Sequence, residues 1–292
     1  MSAGEAKTAI VCDTTVYLPG DEIRRHDIHL VSLYVSLEGR QQAEAEIADY
    51  REFYDRLRAS EEGATTSQPS VGDFVGVYEP LLARGGDVVS IHLSAGISGT
   101  YEAAAQARQR LIDEGGGGER IHVYDSRTGC GAMALVALAA ARSAEAGANG
   151  EAVVERARAA RDSLRMWFAV DTLEYLRRGG RIGAARALLG STLQIKPILT
   201  LDDEIIPVER VRTRRRAHER LVEHARELHA DGADGWVVQH IQEPEIAERM
   251  VEQVRGIFGS DPVFVSEIGP VIGAHVGPGL IGVGGVPRSV IE

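Results

Sequence analysis

The chain has 292 residues, 44% apolar and 26% charged, a balance that excludes a disordered or fibrous protein and suffices for two domains with cores of their own. Its formal net charge of −11 argues against a nucleic-acid partner, which normally needs a basic face. Two cysteines, Cys12 and Cys130, are too few for a disulfide framework or a structural zinc site. The opening MSAGEAKTAIV lacks a long apolar stretch and no run approaches the ~18 apolar residues of a membrane span, so a cytoplasmic protein is expected.

From the N-terminus, short apolar runs alternate with stretches of helical period, the pattern of a parallel sheet flanked by helices. Strands are predicted over residues 8–12, 29–35, 88–93 and 121–124, and helices over 48–58, 73–83, 100–112 and 132–146. The tetraglycine at 115–118 is a loop. A polar helix over 151–164 precedes a strand over 166–170, and the domain boundary is expected there, giving domains 1–165 and 166–292. Helices over 172–178 and 184–193 follow, then strands over 198–201 and 205–209. The Asp202-Asp203 turn between these strands is too short for a parallel crossover, so they pair antiparallel. A helix over 214–229, a strand over 236–241, a helix over 244–258 and a strand over 263–265 complete a smaller α/β domain with a mixed sheet.

Ligands of open parallel sheets bind beyond the carboxyl ends of the strands. There the stretch VVSIHLSAGISGTYEAAAQAR (88–108) places small hydroxyl-bearing residues between a strand and a helix. Ser98 suits the N-cap, which would leave the Gly99 and Thr100 N–H groups facing an anion. A second hydroxyl cluster, TTSQPS (65–70), precedes a helix. Ser70 and Asp73 have capping-box spacing, which leaves Thr66 and Ser67 over. In a third segment, EIGPVIGAHVGPGLIGVGG (267–285), glycines and prolines rule out a regular helix, and His275 stands either as a satisfied core residue or as a hydrogen-bond donor to an anion.

Asp13-Thr14, Asp125-Ser126 and Asp171-Thr172 each follow a strand and read as local side-chain turns. The basic run Arg210–Arg216 is either a solvated helix start or a docking site for an acidic surface. No phosphate loop, nucleophile elbow, His-Glu-x-x-His pair or dinucleotide fingerprint is present, and His218, His224 and His229 are not spaced to share a metal. No metal or cofactor is therefore expected, and the visible chemistry is that of holding an anion.

Eight segments in order, IVCDTTVYLP, TTSQPS, IHLSAGISGTYEAA, VYDSRTGCGAMALV, DTLEYLRRGGRIG, LQIKPILT, IPVERVRTRRRA and IGPVIGAHVGPGLIGV, resemble the DegV family of bacterial fatty-acid-binding proteins, also called FakB. The resemblance runs nearly end to end. It implies an N-terminal, mainly parallel α/β domain and a smaller mixed one with the ligand between them. The ligand would be one long-chain fatty acid, its carboxylate held by Thr66, Ser98 and His275, with Ser94, Ser67 and the Gly99 amide as neighbours. It further implies a carrier and not an enzyme. Its partner would be a fatty acid kinase that forms an acyl phosphate for phospholipid synthesis, met at Arg212, and transient membrane contact stays open.

Ala95-Gly96-Ile97, where many relatives carry a Ser and a Leu, and Cys12, where a Thr is frequent, are departures that bear on pocket shape. For the acyl tail, Phe168, Leu188, Leu189, Leu193 and Ile195 are available, with ordinary core packing the safer assignment for each. Competing readings are a Ser98-dependent esterase or acyl-transfer hydrolase with His275 as base, a phosphosugar-binding module, and a lipid sensor.

Overall fold

The computed structural model describes residues 7–189 and 195–292. In chain order the first elements are strand β1 (Ala9–Asp13), helix α1 (Gly20–Arg25), β2 (Ile28–Val31), β3 (Tyr34–Leu37), β4 (Arg40–Ala43), α2 (Tyr50–Ala59) and β5 (Ala64–Ser67). Then come α3 (Val71–Leu82), β6 (Val88–His92), α4 (Thr100–Asp113), β7 (Ile121–Asp125), α5 (Cys130–Glu145), α6 (Gly150–Ser163) and β8 (Arg165–Ala169). The remainder is α7 (Glu174–Arg178), β9 (Lys196–Asp202), β10 (Glu204–Val211), α8 (Arg214–Ala230), β11 (Gly235–His240), α9 (Pro244–Phe258), β12 (Phe264–Glu267), α10 (Pro270–Val276) and β13 (Ile281–Val286). Among the described residues no helix is long and apolar enough to cross a membrane.

The chain forms two compact units. The first comprises the chain up to Leu33, Gln68–Ser163 and Ser289–Glu292; the second comprises Tyr34–Ser67 and Leu164–Arg288. The division at 165 expected from sequence falls close to Ser163, but residues 34–67 belong to the second unit instead of the first. The cause is pairing and packing: β3 binds β4 and β5 in a three-stranded antiparallel sheet, and α2, β3 and β5 pack on α10.

In the first unit a four-stranded parallel sheet has the order β2-β1-β6-β7. All five residues of β6, Val88 to His92, are buried, as expected for a strand covered on both faces. Val11, Val88 and Ile121 of the sheet pack with Phe74 and Tyr78 of α3 and Ala104 and Leu111 of α4. The alanine-rich α5 is buried along most of its length against β1 and α6, which large side chains would not allow. The predicted strand over 29–35 divides into β2 and β3. At the break Leu33 N–H donates to Thr14 Oγ1 (3.2 Å) and Ser32 Oγ donates to the Leu33 carbonyl (2.9 Å), so this backbone turns away from the parallel sheet.

The second unit is built on a six-stranded mixed sheet of order β10-β9-β8-β13-β11-β12, in which only β11 and β12 run parallel. β9 and β10 are antiparallel around Asp202-Asp203 as expected. Trp236, Leu221, Met250, Ile281 and Val283 form its core. The central strand β13, IGVGGV, has no counterpart in the predicted elements because three of its six residues are glycine. Close strand approach demands them: a Cβ at Gly284 would stand 2.7 Å from the Arg165 carbonyl oxygen.

Two further expectations are corrected. Pro270 occupies the first helical position, where its missing N–H costs nothing, and α10 forms in a segment expected to hold no regular helix. Residues Gly183–Leu188 form a 3-10 helix in place of the α-helix predicted over 184–193, whose end, with Leu193, lies outside the described residues.

His224 of α8 stacks on Trp167 of β8 with ring centroids 4.0 Å apart and planes at 7°. Its side chain is 3% exposed, and neither ring nitrogen has a hydrogen-bond partner among the described residues. Burial, with Arg165 and Arg220 nearby, pushes its pKa down to about 4. The unfolded chain therefore takes up this proton near pH 6.5 while the folded chain resists it until about pH 4. Stability on the order of 3 kcal/mol is present above pH 6.5 and is lost as the pH falls to 4. His224→Phe keeps the stack and removes the titration. Urea unfolding is expected to give it near wild-type stability at pH 7.5 and a shallower loss of stability at pH 5.

Candidate functional site

Thr66 lies in β5, opposite Val35 of β3. Side chains alternate along a strand, so Thr66 leaves on the opposite face from Thr65 and Ser67. Its Oγ1 stands 2.7 Å from Nε2 of His275, the sixth residue of α10. Two segments that share no sequence neighbourhood thus meet in one hydrogen bond within the second unit. Burial, with Arg181 nearby, pushes the His275 pKa down to about 4, so the imidazole is neutral near pH 7. A neutral ring carries one donor and one acceptor nitrogen.

A cavity of about 640 Å³ opens beside this pair in the same unit. Its walls carry Arg58, Arg178 and Arg181 against Glu61, Glu62 and Glu174, with Tyr175 and Thr172 between. Leu57, Ala64 and Ala274 line it as well, so the cavity offers both charged and apolar wall. Ser67 is not part of it: on the other face of β5 its hydroxyl accepts from Gln41 Nε2 (3.2 Å).

In the first unit, the loop after β6 carries the other predicted hydroxyls. Ser94 is fully buried. Its N–H donates to the Thr128 carbonyl (2.8 Å), and its Oγ accepts from Gly96 N–H (3.1 Å), so it shapes the turn and presents no open hydroxyl. Ser98 is half-buried, and the N-cap of α4 is Gly99, not Ser98 as expected. Ser98 Oγ lies 2.9 Å from Thr100 Oγ1 and accepts from Thr100 N–H at 3.3 Å, so that N–H is already engaged. A Cβ at Gly99 would stand 2.8 Å from Gln68 Nε2, the end of a flexible side chain that could move aside. Ser70 and Asp73 form the expected capping box on α3.

The three Asp-hydroxyl pairs do more than local turns. Asp13 accepts from Thr15 N–H (3.0 Å) as expected, but its Oδ2 also meets His92 Nδ1 (3.1 Å) and Leu93 N–H (3.0 Å). His92 Nε2 faces Ser90 Oγ (2.7 Å), to which Tyr78 donates (2.8 Å). This Asp-His-Ser chain has the connectivity of a hydrolase triad, yet all three residues are fully buried and the serine is held by the tyrosine. It braces the ends of β1 and β6 and gives no nucleophile a substrate. Asp125 accepts from Arg127 N–H (2.8 Å) and reaches across to Ala95 N–H (3.1 Å). Asp171 binds Lys196 Nζ (3.0 Å) and Arg214 Nε (2.7 Å), and Arg214 continues to Glu243. Arg212 is exposed just before Thr213, the N-cap of α8. Among the described residues no cluster of His, Cys, Asp and Glu could hold a metal ion.

The apolar candidates for a tail are not core residues: Phe168, Leu188 and Ile195 are half-buried and Leu189 is 40% exposed. Tyr54 and Glu44, both buried beside α10, were missed. Tyr54 reads as one apolar position of an amphipathic helix and Glu44 as a surface charge; nothing local signals their distant partners.

A profile of the family described as "Uncharacterised protein, DegV family" matches residues 7–288. The chain belongs to the DegV family. Protein DegV of Bacillus subtilis is 35% identical over 281 residues, which cover 94% of this chain and 97% of that protein. The crystal structure of DegV from Bacillus subtilis, described as a fatty acid binding protein, is similar with a TM-score of 0.86 at 34% identity, covering 96% of this chain and 99% of that one. A DegV family protein from Thermus thermophilus, described by its fatty acid binding, gives a TM-score of 0.85 at 31% identity with the same coverage.

Since His275 is held neutral by burial, its ring resonances in a proton NMR titration are expected to stay at their neutral positions from pH 8 to about 5 and to move with a midpoint near 4.

Proposed function

We propose that this chain binds a long-chain fatty acid by its carboxylate and presents it to a fatty acid kinase. The observation that carries the reading is the 2.7 Å contact of Thr66 Oγ1 with His275 Nε2 beside a cavity of mixed charged and apolar lining. A carboxylate taken from water costs several kcal/mol unless hydrogen bonds replace its hydration. A hydroxyl accepts and donates at once. In the neutral tautomer protonated at Nε2, the ring N–H donates to Thr66 Oγ1, which turns the Thr66 hydroxyl proton toward the ligand. The resemblance assigns Ser98 and the Gly99 N–H to the same carboxylate as further donors. Ser94 and Ser67 support these segments from behind.

The fatty acid binding of the Bacillus subtilis and Thermus thermophilus relatives supports this ligand class. About fourteen buried methylenes at ~0.8 kcal/mol each supply roughly 11 kcal/mol of gross driving force. The head group fixes orientation and the tail supplies most of the affinity. Phe168, Leu188, Leu189 and Ile195, apolar and not fully buried, are candidate tail contacts.

In the presenting role the kinase moves the γ-phosphoryl group of ATP onto a carboxylate oxygen, releasing ADP and leaving an acyl phosphate. Arg212, exposed at the entry to α8, is the candidate contact for an acidic surface of that kinase.

Thr66→Val and Ser98→Ala each remove one donor to a charged group and are expected to weaken oleate binding ~10- to 100-fold by calorimetry while the melting temperature changes little. Unchanged affinity in both would remove these residues from the site. Loaded protein mixed with ATP and the fatty acid kinase of the same organism is expected to yield hydroxylamine-trappable acyl phosphate. Arg212→Ala should lower that yield without changing oleate affinity, and a wild-type protein yielding none would contradict presentation.

A further inference from the structure

We propose that Tyr54, Glu44 and Gly179 are positioning residues for His275, fixing where its imidazole stands and so how it supports the Thr66 hydroxyl. The inference rests on the reading of Thr66 and His275 as a carboxylate site.

A functional histidine is usually oriented by a hydrogen bond from its second ring nitrogen to a carboxylate or carbonyl. His275 has no such bond: Nδ1 is buried and without a hydrogen-bond partner among the described residues. Its place must come from the backbone that carries it and from what packs on its face. That backbone is α10, seven residues long, too short to hold itself.

Two buried side chains from distant segments anchor it. Tyr54 of α2 aims its hydroxyl at the carbonyls of Ile268 (2.8 Å) and Gly269 (2.9 Å), the two residues before the helix. Its single proton is shared between them. Glu44, 2% exposed, accepts from Val271 N–H (2.8 Å) in the first turn, where a helix favours negative charge. Glycines then let the rings close in. A Cβ at Gly273 would stand 2.1 Å from the Tyr54 hydroxyl, and one at Gly277 would stand 2.3 Å from the Tyr175 ring. On the far side of the imidazole from Thr66, a Cβ at Gly179 would stand 2.3 Å from Nδ1. The ring is therefore bounded by bare backbone on one edge and by the Thr66 hydroxyl on the other.

Gly179 provides the cleanest test, because its φ of −72° and ψ of −6° suit alanine and the backbone has no reason to unfold. Gly179→Ala is expected to unfold cooperatively within several degrees of wild type, the clash falling on the imidazole and not on the backbone dihedrals, yet to bind oleate at least ten-fold more weakly. In a His275→Ala background, adding Gly179→Ala or Tyr54→Phe should change affinity less than two-fold, since both act through the imidazole. Wild-type affinity in Gly179→Ala, or an equal loss from Tyr54→Phe with and without His275, would overturn the proposal. Nitrogen-15 shifts of the His275 ring read the geometry independently of lipid: one dominant tautomer in wild type and a mixture in Gly179→Ala are expected. If wild-type protein takes up no oleate, the fatty acid reading fails while the ring shifts still decide positioning, an unchanged spectrum in Gly179→Ala refuting it.

Discussion

A threonine hydroxyl and a histidine nitrogen 209 residues apart meet at 2.7 Å, and much of the second unit is arranged around that meeting. β5 is held in place by pairing with β3, and α10 by a buried tyrosine and a buried glutamate. Neither segment is long enough to be stable by itself. The residues 34–67 that lie early in the chain fold with the second unit through the packing of α2, β3 and β5 on α10, and they carry one half of this contact.

The glycine-rich segment at 267–285 is where the geometry is tightest. Glycine there serves proximity at 273, where it admits the Tyr54 ring, and at 284, where it lets strands approach, while at 277 it both admits the Tyr175 ring and takes a φ of +75°. The same economy of volume appears in the first unit, where Gly99 accepts the Gln68 amide and α5 is lined with alanine. The buried polar chain from Tyr78 through Ser90 and His92 to Asp13 is bonded link by link, whereas both ring nitrogens of His224 and Nδ1 of His275 are buried without a hydrogen-bond partner among the described residues. That chain stiffens the strand ends from which the Ser98 loop departs, and its complete burial separates its role from that of a reactive triad.

The elements with strong hydrophobic period, such as β6, α3, α8, β11 and α9, were legible in the sequence because burial and periodicity coincide in them. β4 and β5, RQQA and ATTS, were not: they are short, polar strands stabilised by pairing with β3 instead of by their own composition. β13 and α10 were hidden by glycine and proline, whose local signals predict loops but yield here to tertiary packing. Thr66 and His275 were named from motif and resemblance, while their mutual contact, the engagement of Ser94 and Ser67 elsewhere, and the supporting Tyr54, Glu44 and Gly179 depend on chain segments far apart. Long-range pairings of that kind leave no periodic trace in a single sequence.

The central claim is that the Thr66 and His275 pair serves a fatty acid carboxylate. Native mass spectrometry of the purified full chain, repeated after denaturation, tests it most directly. A non-covalent adduct of fatty-acid mass, lost on denaturation and diminished in Thr66→Val and His275→Ala, is the expected result. No adduct, and none after incubation with oleate or palmitate, would contradict the account and assign the hydroxyl and imidazole to some other anion.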